Sequence, residues 1–486
     1  MGMHTKRVSA LEVSIWITLV IFILLAFSPY IIGYKAKNDY TRLINQLSEI
    51  SRLDLQVANY SQGFFSSQAT LSLKLPDYSE KILFKEEIVH GPVYIGLISQ
   101  GKSPFIAAVI NGKLDVQSVS LANIKKLFSG TNPVLYQHLI DFNGNVDSQV
   151  YMPAMKTLIN DDVEPVSLES SGAIYTQFIS SADGSVKGEL NMPSFKINKS
   201  TFDMLLKNSV VSFSGKKGTN QLMMGDSVIS VGRLNIDSAD EQFAVKKLIV
   251  HSLSSEEGQF INTGAQISAR EVLASNQKFG PVAMNFSLNS LDITSLLQLE
   301  KLQASLEQQQ AQGASEEKIN SIMFNQLAEV MPILLQNAEA NINPLSINSE
   351  LGRLEADMHF KMDGLAGQTS IDPITLLDAI KFNLNISIDE ALIRKLFTWY
   401  LENTQDDDLS SSLTATTNAN AHVLMSKKVD DNLNALMDIN WLVKDENVYL
   451  SKISMQQGAL LVNDINIDAM QQIMSSVSGE YGSPVQ

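Results

Sequence analysis

No cysteine occurs in the 486-residue chain, which excludes disulfides, zinc–thiolate sites, iron–sulfur clusters and cysteine nucleophiles together. Basic residues are the minority: 36 Lys and Arg stand against 52 Asp and Glu, for a formal net charge of -16. Such a field repels phosphate backbones, so nucleic-acid binding would need a local basic patch. The pairs in "IKKLF" and "GKKG" are isolated and read as solvated faces or turns. HExxH, GxSxG, P-loop, Rossmann and EF-hand signatures are also missing. The histidines, His4, His90, His138, His251, His359 and His422, include no two at ligand spacing. These absences count against the common enzyme classes, so no catalytic, cofactor-binding or metal-ligating residue is assigned and no cofactor is expected.

What the chain does have is 44% hydrophobic residues, enough to bury a substantial core in two to four ordinary domains or one elongated one. One apolar run stands apart. Residues 13–32, "VSIWITLVIFILLAFSPYII", carry no charge; at 1.5 Å per residue they span about 30 Å as a helix, the thickness of a bilayer's hydrocarbon core. Trp16 and Tyr30 suit its two interfaces, and Ser14, Thr18 and Ser28 can return hydrogen bonds to the helix backbone. The competing reading is a cleaved signal peptide, from Lys6 and Arg7 before the run and the small residues of Ala26-Phe27-Ser28. The run is longer than a signal core and continues through Ile31 and Ile32, so an uncleaved single-span anchor is the expectation. Orientation stays open on charge alone, since Lys6 and Arg7 face Lys35, Lys37 and Arg42 across the span.

Beyond the anchor, Leu43, Ile44, Leu47, Ile50 and Leu53 keep near-helical spacing, which predicts a stalk helix over 35–62 ending at Gly63. Phe64 and Phe65 are expected to pack. From Gln68 the period changes to two, with Leu71, Leu73 and Leu75 alternating against Ser72 and Lys74, as in a half-buried strand. Short alternating runs then recur, and "FIAAVINGKLDV" places Asn111-Gly112 where a two-residue hairpin turn is expected. Three runs pass from an alternating strand through an aspartate into helical spacing, which makes Asp292, Asp389 and Asp468 candidate N-caps; Ser200 and Asp203 approximate a capping box. Residues 293–336 read as an antiparallel helical hairpin whose second helix is kinked or ended by Pro332. Leu296, Leu299, Ile322, Leu327 and Val330 would face the sheet. A further amphipathic helix holds Leu392, Leu396, Trp399 and Tyr400, and the polar stretch that follows reads as a loop.

The best local cluster is "FKEEIVHGP". Glu86, Glu87 and His90 could supply a general base, or two oxygens and an imidazole for a metal. In a strand, however, Glu86 and His90 share a face and Glu87 points away, so only two converge; the plainer reading puts Glu86 and His90 on a sheet edge before the Gly91-Pro92 turn. Asp406, Asp407 and Asp408 lack the spaced ligands of a calcium loop and read as a solvated turn. Phe397, Trp399 and Tyr400 could line a cleft, but their helical spacing favours core packing.

The order of these segments resembles the YdgA-like family of bacterial envelope proteins: an anchor, "NYSQGFFSSQATLSL", "EEIVHGPV", a helical hairpin leading into "MPILLQNAEANINPLSI", and a "NVYLSKISM" strand. The closing "QGALLVNDINIDAM" departs from that pattern. The resemblance implies a single-pass inner-membrane anchor with the bulk of the chain in the periplasm, and it implies no catalytic residues. The expected fold class is α+β and β-rich, one transmembrane helix followed by an elongated curved antiparallel sheet with helices packed on one face. The expected regions are a cytoplasmic tip and anchor (1–34), stalk (35–62), β-rich region (63–290), helical hairpin (291–345), second strand–helix region (346–476) and flexible tail (477–486). The expected role is non-enzymatic, in envelope structure or organisation; the alternative is a lipid or acyl-chain binding or transfer module using an apolar sheet face. Expected partners are the lipid bilayer and a lipid ligand or envelope protein, with no nucleic acid; a homodimer is among the candidate assemblies.

Overall fold

The computed structural model describes residues 29, 32–48, 53–74, 81–116, 128, 130–160, 165–220, 222–238, 242–274, 277–311, 313–363, 378–403, 418–456 and 458–467. Among them no helix is long and apolar enough to cross a membrane. Apart from residues 29 and 32, the apolar run 13–32 lies outside the described residues, as do Asp406, Asp407, Asp408 and Asp468. The chain divides into two units, Met1–Lys217 and Gly218–Gln486.

In the first unit, helix α1 (32–48) precedes strands β1 (Asp54–Gln62), β2 (Ser66–Lys74), β3 (Ile82–His90) and β4 (Ala108–Leu114). Then follow β5 (Leu135–Ile140), β6 (Val146–Met152), β7 (Met155–Asn160), β8 (Pro165–Ser170), β9 (Ala173–Ile179), β10 (Val186–Lys199) and β11 (Phe202–Lys217). Each strand pairs antiparallel with its neighbour in the order β1-β2-β3-β4-β5-β6-β9-β10-β11. The β7–β8 hairpin joins through β8 to the later half of the long β10. Helix α1 lies on one face, where Ala36, Tyr40, Leu43 and Ile44 are buried together with Ala69, Leu71, Ile88, Ile110, Ile140 and Val146.

Several expectations are corrected here. Residue 53 is already outside the helix and residues 54–62 are strand: Leu55, Val57 and, beyond a register shift, Tyr60 pack on the same core as α1, and that shared core outweighs the continued helical spacing. Gly63 therefore turns one strand into the next. A Cβ there would lie 2.4 Å from the Ser66 carbonyl oxygen. Phe64 and Phe65 are not core residues, at 40% and 64% exposed. Asn111 and Gly112 lie inside β4, paired with strands on both sides, for a reason given below. Lys199 and Phe202 close a strand-to-strand hairpin, so Ser200 and Asp203 begin no helix.

The second unit contains β12 (Met223–Ser238), β13 (Gln242–Glu257), β14 (Phe260–Ala269), β15 (Glu271–Ala274) and β16 (Gln277–Asp292). The helices α2 (Ile293–Ala311) and α3 (Glu316–Leu335) follow, then β17 (Glu339–Ser349), β18 (Gly352–Met362), β19 (Ile380–Asp389), α4 (Glu390–Asn403) and α5 (Asn418–Asp438). The last strands are β20 (Val443–Asp445), β21 (Val448–Gln456), β22 (Ala459–Val462) and β23 (Ile465–Ile467). The ladder runs antiparallel from β12 through β13, β14, β16, β17, β18, β19, β21 and β22 to β23.

The helical hairpin forms as expected, and α3 ends within a turn of Pro332. Asp292 caps α2, its Oδ1 accepting from the Ser295 amide at 2.8 Å, the arrangement that satisfies an otherwise orphan first-turn donor. Asp389 does not cap α4. Its Oδ2 accepts from the Arg353 amide at 2.8 Å, and the Glu390 amide bonds instead to the Asn447 carbonyl. Residues 418–422, expected as loop, begin α5, whose Met425, Val429 and Leu433 are buried against Leu392 and Ile388. In α4, Phe397 joins that core, while Trp399 and Tyr400, expected there, are 51% and 58% exposed.

Candidate functional site

The first unit carries a buried polar row across its sheet. Register aligns Tyr60 with Ala69, Ala69 with Glu86, Glu86 with Gly112 and Gly112 with Tyr136, so all five side-chain positions lie on the face that α1 covers. Glu86 is 4% exposed. Its small neighbours make room for two phenols. Tyr136 donates to Oε1 at 2.6 Å from two strands away, and Tyr40 donates to Oε2 from α1. Gly112 is why the Asn-Gly pair is not a turn: a Cβ there would stand 2.0 Å from the Tyr136 ring carbon Cζ. The glycine serves close approach, which the turn statistics of Asn-Gly do not distinguish from a positive φ.

Burial pushes the Glu86 carboxyl above its usual range, partly opposed by the two phenol hydrogen bonds. Burial, and then the adjacent carboxylate, push both phenols up as well. A desolvated carboxylate is costly, and charge-assisted hydrogen bonds offset part of that cost.

His90 shares this face with Glu86, and Glu87 points away and is exposed, as strand alternation requires. The structure does not place the two on a sheet edge, because β3 is paired on both sides. Nor does it join them in one hydrogen-bonded cluster. His90 Nε2 lies 2.8 Å from Ser67 Oγ and Nδ1 lies 3.2 Å from the Phe64 carbonyl oxygen. A Ser–His pair suggests a nucleophile and its base, but Ser67 is 1% exposed and the imidazole lies under Gly33, where an added Cβ would come within 2.4 Å of the ring. His138 and Ser148 form a second buried pair at 2.8 Å, and burial lowers His138 to about 4. Sequence reasoning missed Tyr40, Tyr136 and this pair; the alternation of Tyr136, His138 and Ile140 was the available signal.

In the second unit the two sheet faces differ in chemistry. One is amide-rich and carries two open troughs. The first, about 320 Å³, is lined by His251, Gln266, Asn285, Asn289 and Asn341 among others; the second, about 640 Å³, by Glu355, Asp357, Asn385, Lys452 and Asp464 among others. The opposite face presents register-aligned apolar rows, such as Phe286-Ile342-Met358-Leu384-Ile453 and Leu288-Ala340-Phe360-Phe382-Met455. All ten of these residues are only half-buried. Helices α2 and α3 pack near one end of this face through Leu291 and Ala338, and α4 and α5 pack near the other through Ile388 and Tyr449. Among the described residues, no group of three or more His, Asp or Glu is placed to hold a metal ion.

No curated protein and no solved structure matches the chain. A family model described as a bacterial protein of unknown function matches residues 10–469. With nearly the whole length covered, the chain belongs to the DUF945 family of bacterial proteins of unknown function.

Proposed function

We propose that the chain is a non-enzymatic protein of the bacterial envelope, held at the inner membrane by residues 13–32 with its bulk in the periplasm, and acting in envelope structure or organisation. The observation that carries this reading is the docking of α1. This helix follows the apolar run directly in sequence and is fixed in the core of the first unit, with Tyr40, Leu43 and Ile44 at most 1% exposed. Burial of three such side chains contributes roughly 5–9 kcal/mol, so a span here would be joined to a folded body through a packed helix and not a slack linker. The buried Glu86, His90 and His138 act as struts of that body. Fractionation of cells making the full chain, with protease added to spheroplasts, tests the proposal: recovery with membranes and digestion from outside are expected, and intact protein in the cell interior would defeat it.

A second reading, binding of an acyl chain or lipid, is favoured by the half-buried apolar rows of the second unit, which the helices border at the two ends. Native mass spectrometry of detergent-extracted protein tests it through co-purified lipid.

A further inference from the structure

Exposed apolar side chains collect at one end of the first unit. Helix α1 runs from Gly33, which rests on His90 at the end of β3, to Ser48, whose hydroxyl bonds to the Leu53 carbonyl just before β1. The end marked by His90 is therefore where the chain arrives from the apolar run. The turn after Gly63 lies at the same end, because the His90 amide donates to the Phe65 carbonyl at 2.8 Å. So does the loop after His90, which is tied back on itself by the Val93–Phe105 bridge.

On these segments Tyr34 is 68% exposed, Phe64 40%, Phe65 64%, Ile95 73%, Ile98 59% and Phe105 65%. Six large side chains at such exposure present on the order of 600 Å², at or above the largest apolar patch of a typical soluble monomer. The loop has a core of its own, since Leu97 is 1% exposed against Val109 and Leu139. Ile95 and Ile98 thus point outward from a fixed scaffold. Exposed Lys35 adjoins the patch on α1, and Lys102 pairs with Asp147 beside it.

We propose that this end of the first unit is seated in the headgroup–acyl boundary of the bilayer that anchors the chain, with Phe65, Ile95, Ile98 and Phe105 inserted and Lys35 at headgroup level. The proposal rests on the anchored reading above, because continuity with the apolar run decides the occupant: whatever surface residues 13–32 enter, residues 33 and 34 lie next to it. Aromatic and aliphatic side chains with flanking lysines are the chemistry of that boundary. The seat would fix the orientation of the first unit against the membrane, which one spanning helix leaves free to rotate.

The absence of cysteine makes the test direct. Phe65→Cys, Ile95→Cys and Phe105→Cys in the full chain each carry one nitroxide, and Gln56→Cys, at the other end of β1, is the control. The proteins are reconstituted in vesicles of phosphatidylethanolamine and phosphatidylglycerol, and label relaxation is measured with oxygen and with a water-soluble nickel chelate. Expected are labels at the three patch positions that meet oxygen and are shielded from nickel, with the reverse at position 56. Nickel access equal to that of the control, in protein that still floats with the vesicles, overturns the seat while leaving the anchor intact. Protein that does not float removes the anchored reading and the seat with it. Shielding that persists in detergent and brings dipolar broadening with rising concentration assigns the patch to a second copy and also overturns the proposal.

Discussion

Gly112→Ala is the sharpest perturbation of the buried row. The new Cβ would stand 2.0 Å from Tyr136 Cζ and 2.5 Å from its hydroxyl oxygen, so the ring must swing off the strand. The Tyr136 bond to Glu86 at 2.6 Å is then lost, leaving a buried carboxylate with the Tyr40 donor. Loss of a hydrogen bond to a charged group costs about 1.5–3 kcal/mol and overpacking about 1–3 kcal/mol, while replacing glycine in a strand returns about 0.5–1 kcal/mol. The net expectation is roughly 2–5 kcal/mol. Hydrogen exchange read by mass spectrometry over β3, β4 and β5 in a urea series locates the change in the first unit. The decisive comparison is the cycle with Tyr136→Ala. With the ring gone, Gly112→Ala should cost less than about 1 kcal/mol, so the two changes couple by about 2 kcal/mol or more. Additive effects would falsify the close-approach account of this glycine.

Three further outcomes are expected. Glu86 has a raised carboxyl in the folded state, so its protonation contributes stability that is fully present below the ordinary carboxyl range and is lost as pH rises through the folded value. Glu86→Gln should remove that slope and be at least as stable as the parent at neutral pH, as urea midpoints from pH 4 to 8 will show. His138 runs the other way, since its folded value is lowered to about 4: stability is complete above the ordinary imidazole range near 6.5 and is lost as pH falls toward 4. His138→Phe should flatten that acid limb in the same titration. Phe64→Ala with Phe65→Ala keeps both backbone carbonyls that meet His90 and removes an exposed edge-on ring pair with centroids 4.7 Å apart; the expected loss in detergent is under about 1 kcal/mol, and a loss above about 2 kcal/mol would show that the rings belong to the core.

Much of the β-rich architecture was legible because its warrant is local. Alternation at the positions flanking Glu86 reports which face is buried there, whereas Ser72, expected on the open face between Leu71 and Leu73, is itself 3% exposed. The placement of Glu86 and His90 together, with Glu87 opposite, follows from period two alone. The helical hairpin and the Asp292 cap were legible for the same reason. The misreadings arose where a nonlocal partner decided. Asn111-Gly112 is a good turn dipeptide until Tyr136 arrives from another strand to need the space. Asp389 resembles an N-cap until the Arg353 amide claims its carboxylate. The β1 segment keeps enough helical spacing to extend α1 on paper, and only the shared core with α1 selects the strand. The site itself was half visible: Glu86 was singled out as a potential base or ligand, but the two phenols that turn it into a strut come from residues 46 positions before it and 50 after it.

A buried carboxylate is a poor choice if stability alone is at stake, since apolar replacement of buried charges is often neutral or stabilising. What Glu86 adds is position. Helix α1 meets the sheet through Ala36, Tyr40, Leu43 and Ile44, an apolar stripe that would tolerate a one-turn slide of about 5.4 Å. Such a slide takes the Tyr40 hydroxyl away from Glu86 and leaves a buried acceptor short of a donor, at about 1–3 kcal/mol or more. Glu86→Leu leaves the Tyr40 and Tyr136 hydroxyls without their acceptor, at about 1–3 kcal/mol each, and should also lose the unique register of α1. Nitroxides at Thr41 on α1 and Lys74 on β2 would give one narrow distance distribution in the parent and a broadened or doubled one in the variant. An equally narrow distribution in Glu86→Leu means that apolar packing alone sets the helix, and the carboxylate then has no positioning role.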